Sequence, residues 1–220
     1  ARAGTPGPAA AGDPLEIHWV RTAAEHRAVY EEVYRWATTR VVALAGEKQP
    51  GTWAVILDAD ETVLDNSPYQ LRRAREGKGY TPESWNAWVR ERAAPALPGA
   101  VDFVARVREL GGKVAIVTNR DEAVCAPTRR NLDAVGIAPD VVLCRTGEAS
   151  KERRFTAVET GDGTGLGPLE VVAWVGDNIQ DFPGGTQRWR GGAPEMADFG
   201  IRYFALPNPM YGSWVGNPPR

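Results

Sequence analysis

Cysteine and histidine are scarce in this chain of 220 residues, which holds two of each. Two cysteines, Cys125 and Cys144, do not make a disulfide framework or a zinc site. They fit one bridge in an oxidising compartment or two free, buried thiols, and the second is the expectation. No apolar run approaches ~18 residues, so no segment reads as a membrane-spanning helix. The formal net charge is only −2, and no global field recruits a nucleic-acid polymer or an anionic membrane. The opening stretch, Ala1 to Gly12, lacks hydrophobic side chains larger than Ala and Pro. It reads as the main part of a flexible tail over residues 1–16. The first residue is Ala rather than Met; removal of a signal peptide and trimming of a recombinant chain account for this equally well.

What is present is a regular alternation of elements. Val20, Ala23, Ala24, Tyr30, Val33, Tyr34, Ala37, Val41 and Leu44 recur at helical spacing, which predicts one amphipathic helix ended by Gly46 and Pro50-Gly51. Trp53 to Leu57 is a short apolar run of the kind found in strands buried on both faces. Asn66 to Tyr80 is polar and aromatic. Thr81-Pro82 opens a helix carrying Trp85 and Trp88 on one face. Further strands are expected at Lys113–Val117, Val141–Cys144, Val171–Val175 and Ile201–Leu206, with helices at Val101–Leu110 and Asp121–Val135. Thr160 to Pro168 is a Gly-rich surface loop. This order predicts an α/β fold with a doubly wound, mainly parallel sheet.

In such sheets ligands bind beyond the carboxyl ends of the strands. The first strand ends in Asp58-Ala59-Asp60, the second in Thr118-Asn119-Arg120, and the fourth in Gly176-Asp177-Asn178 with Asp181 close behind. Crowded carboxylates repel one another and are costly to desolvate, and a hard divalent cation relieves both problems. Each aspartate alone reads as a helix cap. Together they read as a Mg²⁺ site formed by Asp58, Asp177 and a backbone carbonyl near Asp60.

These residues also carry a resemblance. D-A-D-E-T at Asp58 to Thr62, Thr118, Lys151 and G-D-N-I-Q-D at Gly176 to Asp181 resemble, in order, the four motifs of the haloacid dehalogenase (HAD) superfamily. The chain is more closely similar to the bacterial class C acid phosphatases, the lipoprotein and 5′-nucleotidase type. Their D-E-T-x-L-D-N-S matches Asp60 to Ser67, and their L-P-N-P-M-Y-G-x-W matches Leu206 to Trp214. Ala59 departs from the Leu common in that group.

The resemblance implies an HAD-like domain over 17–220, with a small helical cap drawn from about 17–48, 66–97 and 207–220. It implies Mg²⁺-dependent hydrolysis of small phosphomonoesters. Asp58 is then the nucleophile, Asp60 the general acid and base, and Thr118, Asn119 and Lys151 the groups that stabilise the phosphoryl. Asp58, Asp60 and Asp177 hold the metal, and Asp65, Asn178 and Asp181 orient it from behind. Thr118 and the amides after it are expected at the start of the next helix, where the dipole favours an anion. Tyr69, Trp85, Trp88, Arg120 and Tyr211 are expected to bind the substrate, which favours nucleoside 5′-monophosphates and aryl phosphates. For each aromatic the alternative is a core or dimer contact, so a homodimer belongs among the expectations. The resemblance also implies a bacterial periplasmic, outer-membrane lipoprotein or secreted location. A phosphotransferase, or a non-catalytic storage protein of the kind found among plant relatives, is the alternative function.

Other phosphatase chemistries lack their nucleophiles. His18 and His26 precede the first strand outside any motif, and Cys125 has Asn131, not Arg, six residues on.

Overall fold

A computed structural model describes residues 13–219, so the tail expected over residues 1–12 lies outside the described residues. Five parallel strands form one sheet in the order β3-β2-β1-β4-β5. They are β1 (Trp53–Leu57), β2 (Lys113–Asp121), β3 (Val141–Arg145), β4 (Glu170–Gly176) and β5 (Tyr203–Ala205). Seven α-helices surround it among the described residues: α1 (Leu15–Thr22), α2 (Ala24–Ala45), α3 (Ser67–Arg75), α4 (Pro82–Glu91), α5 (Ala100–Glu109), α6 (Cys125–Ala134) and α7 (Glu152–Thr160). No helix among them is long and apolar enough to cross a membrane.

Strand alternation sorts the core into two layers. Val55 and Leu57 of β1, with Val114 and Ile116 of β2, face α2, α5 and α6 through Tyr34, Phe103 and Leu132. Ala54, Ile56, Ala115 and Trp174 face the other way, onto Phe155 and Val158 of α7 and onto Phe182. Helices on both faces of a parallel sheet are the doubly wound arrangement the sequence predicts. β1 sits between β2 and β4, so the chain switches direction across the sheet at its carboxyl end.

Several elements differ from expectation. The single N-terminal helix is two helices, because Ala23 adopts an extended backbone (φ −78°, ψ 130°). The break lets α1 lean on α3, where Arg21 reaches Ser67 Oγ at 3.2 Å, while α2 packs on the sheet. Helix α1 also starts at Leu15, ahead of the expected boundary at residue 17. Helix α3 was not expected, since its run of arginines carries little apolar period and buries only Ser67 and Tyr69. Strand β2 continues four residues past Val117, because Asp121 pairs with Arg145 after a shift in register. β5 is shorter than expected, since Ile201 and Arg202 form a turn bonded to Asp198.

The two cysteines are not free. Cys125 and Cys144 form a disulfide between the first residue of α6 and the end of β3. β3 lies beside β2, and the chain leaving β2 turns directly into α6, which brings the two Cα atoms to 5.8 Å, within bridging range.

Candidate active site

The turn after β1 is held from three sides. The Asp58 amide donates to Val175 O at 3.0 Å, which fixes the turn to β4. Glu61 has φ +51°, a left-handed conformation costing about 1–2 kcal/mol for a residue with a Cβ. The hydroxyl of Tyr30 on α2 donates to Glu61 O at 2.6 Å, and that of Tyr34 to Thr62 O at 2.8 Å. The N-terminal region thus reaches the site through these two hydroxyls while its body forms a core layer. Inside the turn the buried Glu61 carboxyl accepts from Asn66 N at 2.7 Å. Burial, and then the charge of Asp60, push the Glu61 carboxyl well above the ordinary range.

Beyond the strand ends Asp58, Asp177 and Asp181 present carboxylate oxygens all within 4.8 Å of one another. Lys151 Nζ donates to Asp58 at 2.5 Å and to Asp181 at 2.7 Å. The other Asp181 oxygen accepts from Asn178 N at 2.8 Å. Gly176 permits this: a Cβ there would lie 2.3 Å from Asp181 Cβ. Asp177 accepts from Asn208 Nδ2 at 2.8 Å and from Thr62 Oγ1 at 3.3 Å. The three aspartates and Lys151, with Asp60, Asn119, Gln180 and Tyr211, border a polar chamber of about 150 Å³.

Three carboxylates against one ammonium leave this chamber short of positive charge. Burial, followed by Asp181 and Asp60, pushes the Asp58 carboxyl up to about 7 despite Lys151. Asp177 is held well above the usual carboxylate range, by burial and then by Asp181 and Asp58. Burial alone would lower Lys151, but the two carboxylates reverse that and hold it raised and charged. The donors are all hard oxygens, and they fit a divalent cation. Among the described residues, the other close group of candidate ligands, Glu122 with Cys125 and Cys144, has both sulfurs tied up in the disulfide.

Asp60 borders the same chamber as Asp58 but has different partners. Its carboxylate meets Arg120 at 2.7 Å and Asn66 Nδ2 at 2.9 Å. Arg120 is fully buried; it also reaches Asn66 Oδ1 at 3.2 Å and lies 5.6 Å from the Trp85 ring. Asp60, Asn119 and Tyr211 form a wall shared with a second chamber of about 360 Å³, lined also by Tyr80, Trp85, Arg120 and Arg145.

Some expected residues stand elsewhere. Tyr69 and Trp88 are buried and line neither chamber. The Tyr69 ring packs edge-on to Trp85 at 5.0 Å, and Trp88 Nε1 donates to Asn66 Oδ1 at 2.8 Å, so both support the wall from behind. Asp65 is not part of the carboxylate cluster; it accepts from Ser67 N, the first residue of α3, at 2.8 Å. Thr118 is fully buried and accepts from Arg120 N at 3.1 Å. It lies within β2, and α6 begins only at Cys125, so no helix dipole starts at Thr118.

Other site residues were not singled out. Arg154 bonds Thr118 O and, at 2.6 Å, Asn119 Oδ1; the run of cations around it masks the signal. Asn66 and Asn208 lie inside motifs, and an asparagine there reads equally well as a turn residue. In the Leu206–Trp214 run, Leu206 N bonds Gly176 O at 2.9 Å and Asn208 Oδ1 accepts from Met210 N at 3.0 Å. That turn delivers Tyr211 to the shared wall.

The sequence profile of the acid phosphatases described as HAD superfamily, subfamily IIIB, matches residues 7–214. The structure is similar to that of the class C acid phosphatase from Bacillus anthracis, with a TM-score of 0.82 and 32% identity over 92% of this chain and 86% of that one. The same enzyme with tungstate bound matches at 31% identity. Acid phosphatase 1 of Solanum lycopersicum is 29% identical over 165 residues, 71% of this chain and 57% of its own length. Vegetative storage protein 1 of Arabidopsis thaliana is 25% identical over 169 residues, 71% of this chain and 54% of its own. This chain thus spans little more than half the length of these two curated relatives. The family match runs from the segment before α1 to the turn that carries Tyr211, and on it the chain belongs to the HAD superfamily, subfamily IIIB, the acid phosphatase family.

Proposed function

We propose that this chain is a Mg²⁺-dependent acid phosphatase that hydrolyses nucleoside 5′-monophosphates and aryl phosphates through an aspartyl-phosphate on Asp58. The observation that carries the reading is the pairing of chambers. A small acidic one contains Asp58 and Lys151 2.5 Å apart, and a larger aromatic one meets it at Asp60.

Asp58, Asp177 and the backbone carbonyl of Asp60 would hold Mg²⁺. The ion would supply the positive charge the chamber lacks, neutralising the nucleophile and the incoming phosphate. An oxygen of Asp58 attacks phosphorus, and the bond from phosphorus to the ester oxygen breaks. Protonated Asp60 gives its proton to that oxygen as it leaves. Asp60 then takes a proton from water, the water oxygen attacks phosphorus, and the acyl–phosphate bond breaks to free phosphate and Asp58. A positioned acid and base of this kind supplies ~10²–10⁴ in rate. Lys151 keeps its proton throughout and screens Asp58 from the phosphate oxygens. Arg120 and Asn66 hold the Asp60 carboxyl on the wall between the chambers, where the ester oxygen would lie. The disulfide suits an oxidising compartment outside the bacterial cytoplasm, such as the periplasm or the cell exterior.

The test is phosphate release from 4-nitrophenyl phosphate and a nucleoside 5′-monophosphate with and without Mg²⁺. Asp58→Asn is expected to lower kcat by at least ~10³-fold. Full activity in that variant would sink the mechanism. Transfer of phosphate to an added alcohol would instead identify a phosphotransferase, and absence of turnover in the unaltered chain a binding or storage role.

A further inference from the structure

The larger chamber contains two arginines in different circumstances. Arg120 is fully buried, meets Asp60 at 2.7 Å, and bonds Asn66 and Thr128 as well. Its guanidinium is thus occupied on all sides by Asp60, Asn66 and Thr128. Arg145, the last residue of β3, lines the same chamber with its side chain 37% exposed. Its nearest carboxylate is Asp121 at 3.7 Å, beyond hydrogen-bonding range, on a side chain 45% exposed. Arg154, near the rim, is tied to Asn119 and to backbone carbonyls. Among the residues lining the larger chamber, Arg145 is therefore the cation without a close carboxylate partner. It does not line the acidic chamber, so it is placed to meet the leaving group rather than the phosphoryl group.

We propose that Arg145 selects phosphomonoesters whose leaving group carries a second anionic group, a carboxylate or another phosphate. This rests on the phosphatase reading given above. A guanidinium presents a planar fork of donors that matches either anion, and one with no close partner gives up little to bind it. Trp85, Tyr80 and Tyr211 hold the ring of the leaving group, and Arg145 reads what the ring carries. The disulfide fixes the adjacent Cys144 to α6, so the arginine is presented from a braced strand end.

The test compares phenyl phosphate with 4-carboxyphenyl phosphate, and a nucleoside 5′-monophosphate with its 3′,5′-bisphosphate, for the unaltered chain, Arg145→Gln, Arg145→Lys and Asp121→Asn. Arg145→Gln is expected to lower kcat/KM for the doubly anionic member of a pair by ~3- to 10-fold, through KM, and for the plain member by less than ~2-fold. Arg145→Lys should keep part of the preference, and added salt should erode it. Asp121→Asn, which retains the oxygen that caps Ala123 N, should raise the preference by freeing Arg145 further. The two pairs separate carboxylate from phosphate, and loss of preference in either supports the proposal. Equal effects on both members of both pairs, or none, would overturn it. Affinities of the matching phenyl phosphonates, measured by calorimetry, need no turnover. They decide on Arg145 even if phenyl phosphate is not hydrolysed, an outcome that would count against the phosphatase reading alone.

Discussion

The acidic chamber and the aromatic chamber share Asp60, Asn119 and Tyr211, yet their walls are built differently. In the acidic chamber Asp58 and Asp177 follow directly on strand ends, and the adjacent strands β1 and β4 fix their spacing. Asn208, Lys151 and the Asn178 amide then aim the carboxylates, each at 2.8 Å or less. In the aromatic chamber Trp85 comes from α4, Arg145 from the edge strand β3, and Tyr211 from the C-terminal turn. Trp85 is held by ring contacts with Tyr69 and Tyr80 and by Arg120 over its face, with Asn66 and Trp88 behind that arginine. One region is pre-formed by backbone, the other by side-chain packing. On the function proposed above, chemistry falls to the first and substrate choice to the second.

The comparison breaks if the two regions fail to separate under mutation. Thr62→Val removes a hydroxyl that donates to Asp177, and Thr62 lines neither chamber. Groups that orient metal ligands typically contribute 10- to 100-fold, so the Mg²⁺ concentration for half-activity should rise by ~10-fold or more while KM ratios between substrates stay fixed. A change in those ratios would show that the chambers are one unit. Trp85→Ala should do the reverse. It should raise KM for aryl phosphates by ~5- to 100-fold relative to an alkyl phosphate, from the ~1–3 kcal/mol of a stacked ring, and leave the Mg²⁺ dependence alone. Trp88→Phe sharpens the distinction between contact and support. It leaves Asn66 Oδ1 with one donor fewer in a buried place. Thermal or denaturant unfolding should show a loss of ~1–3 kcal/mol, with no bias between aryl and alkyl substrates.

The same division explains what was legible in the sequence. The sheet was, because Trp53 to Leu57 and Val171 to Val175 are apolar without interruption and strands buried on both faces must be. The grouping of Asp58, Asp60, Lys151, Asp177 and Asp181 was too, because strand ends place Asp58 and Asp177 and the motif order sets the others beside them. Tyr69 and Trp88 were assigned to the wrong side of the wall, since neighbouring positions on one helix face do not tell which ring is outermost. Arg145 carries no local signal; its place depends on a register shift four residues past the expected end of β2. The disulfide was missed for a related reason: a separation of 19 residues acquires meaning only once β3 is known to lie beside β2.

The last effect concerns charge, and it divides the chambers by pH. In the metal-free protein burial and the neighbouring carboxylates raise Asp58 to about 7 and hold Asp177 well above the ordinary range. An unfolded aspartate titrates near ~3.9, so between about pH 4 and 7 the folded state binds more protons than the unfolded one. The stability Asp58 contributes is therefore complete below about pH 4 and is lost as pH rises through 7. A divalent cation takes the deprotonated carboxylates and should oppose that loss where it is greatest. At a Mg²⁺ concentration ~100 times its Kd, Tm should rise by ~5–10 °C at pH 7.5 and much less at pH 5. Trp85→Ala should retain this pattern, because the aromatic chamber adds no ligand, and Asp177→Asn should abolish it. A Mg²⁺ effect on Tm independent of pH would mean that the ion binds away from the buried carboxylates. The separation of chemistry from substrate choice would then lose its electrostatic basis.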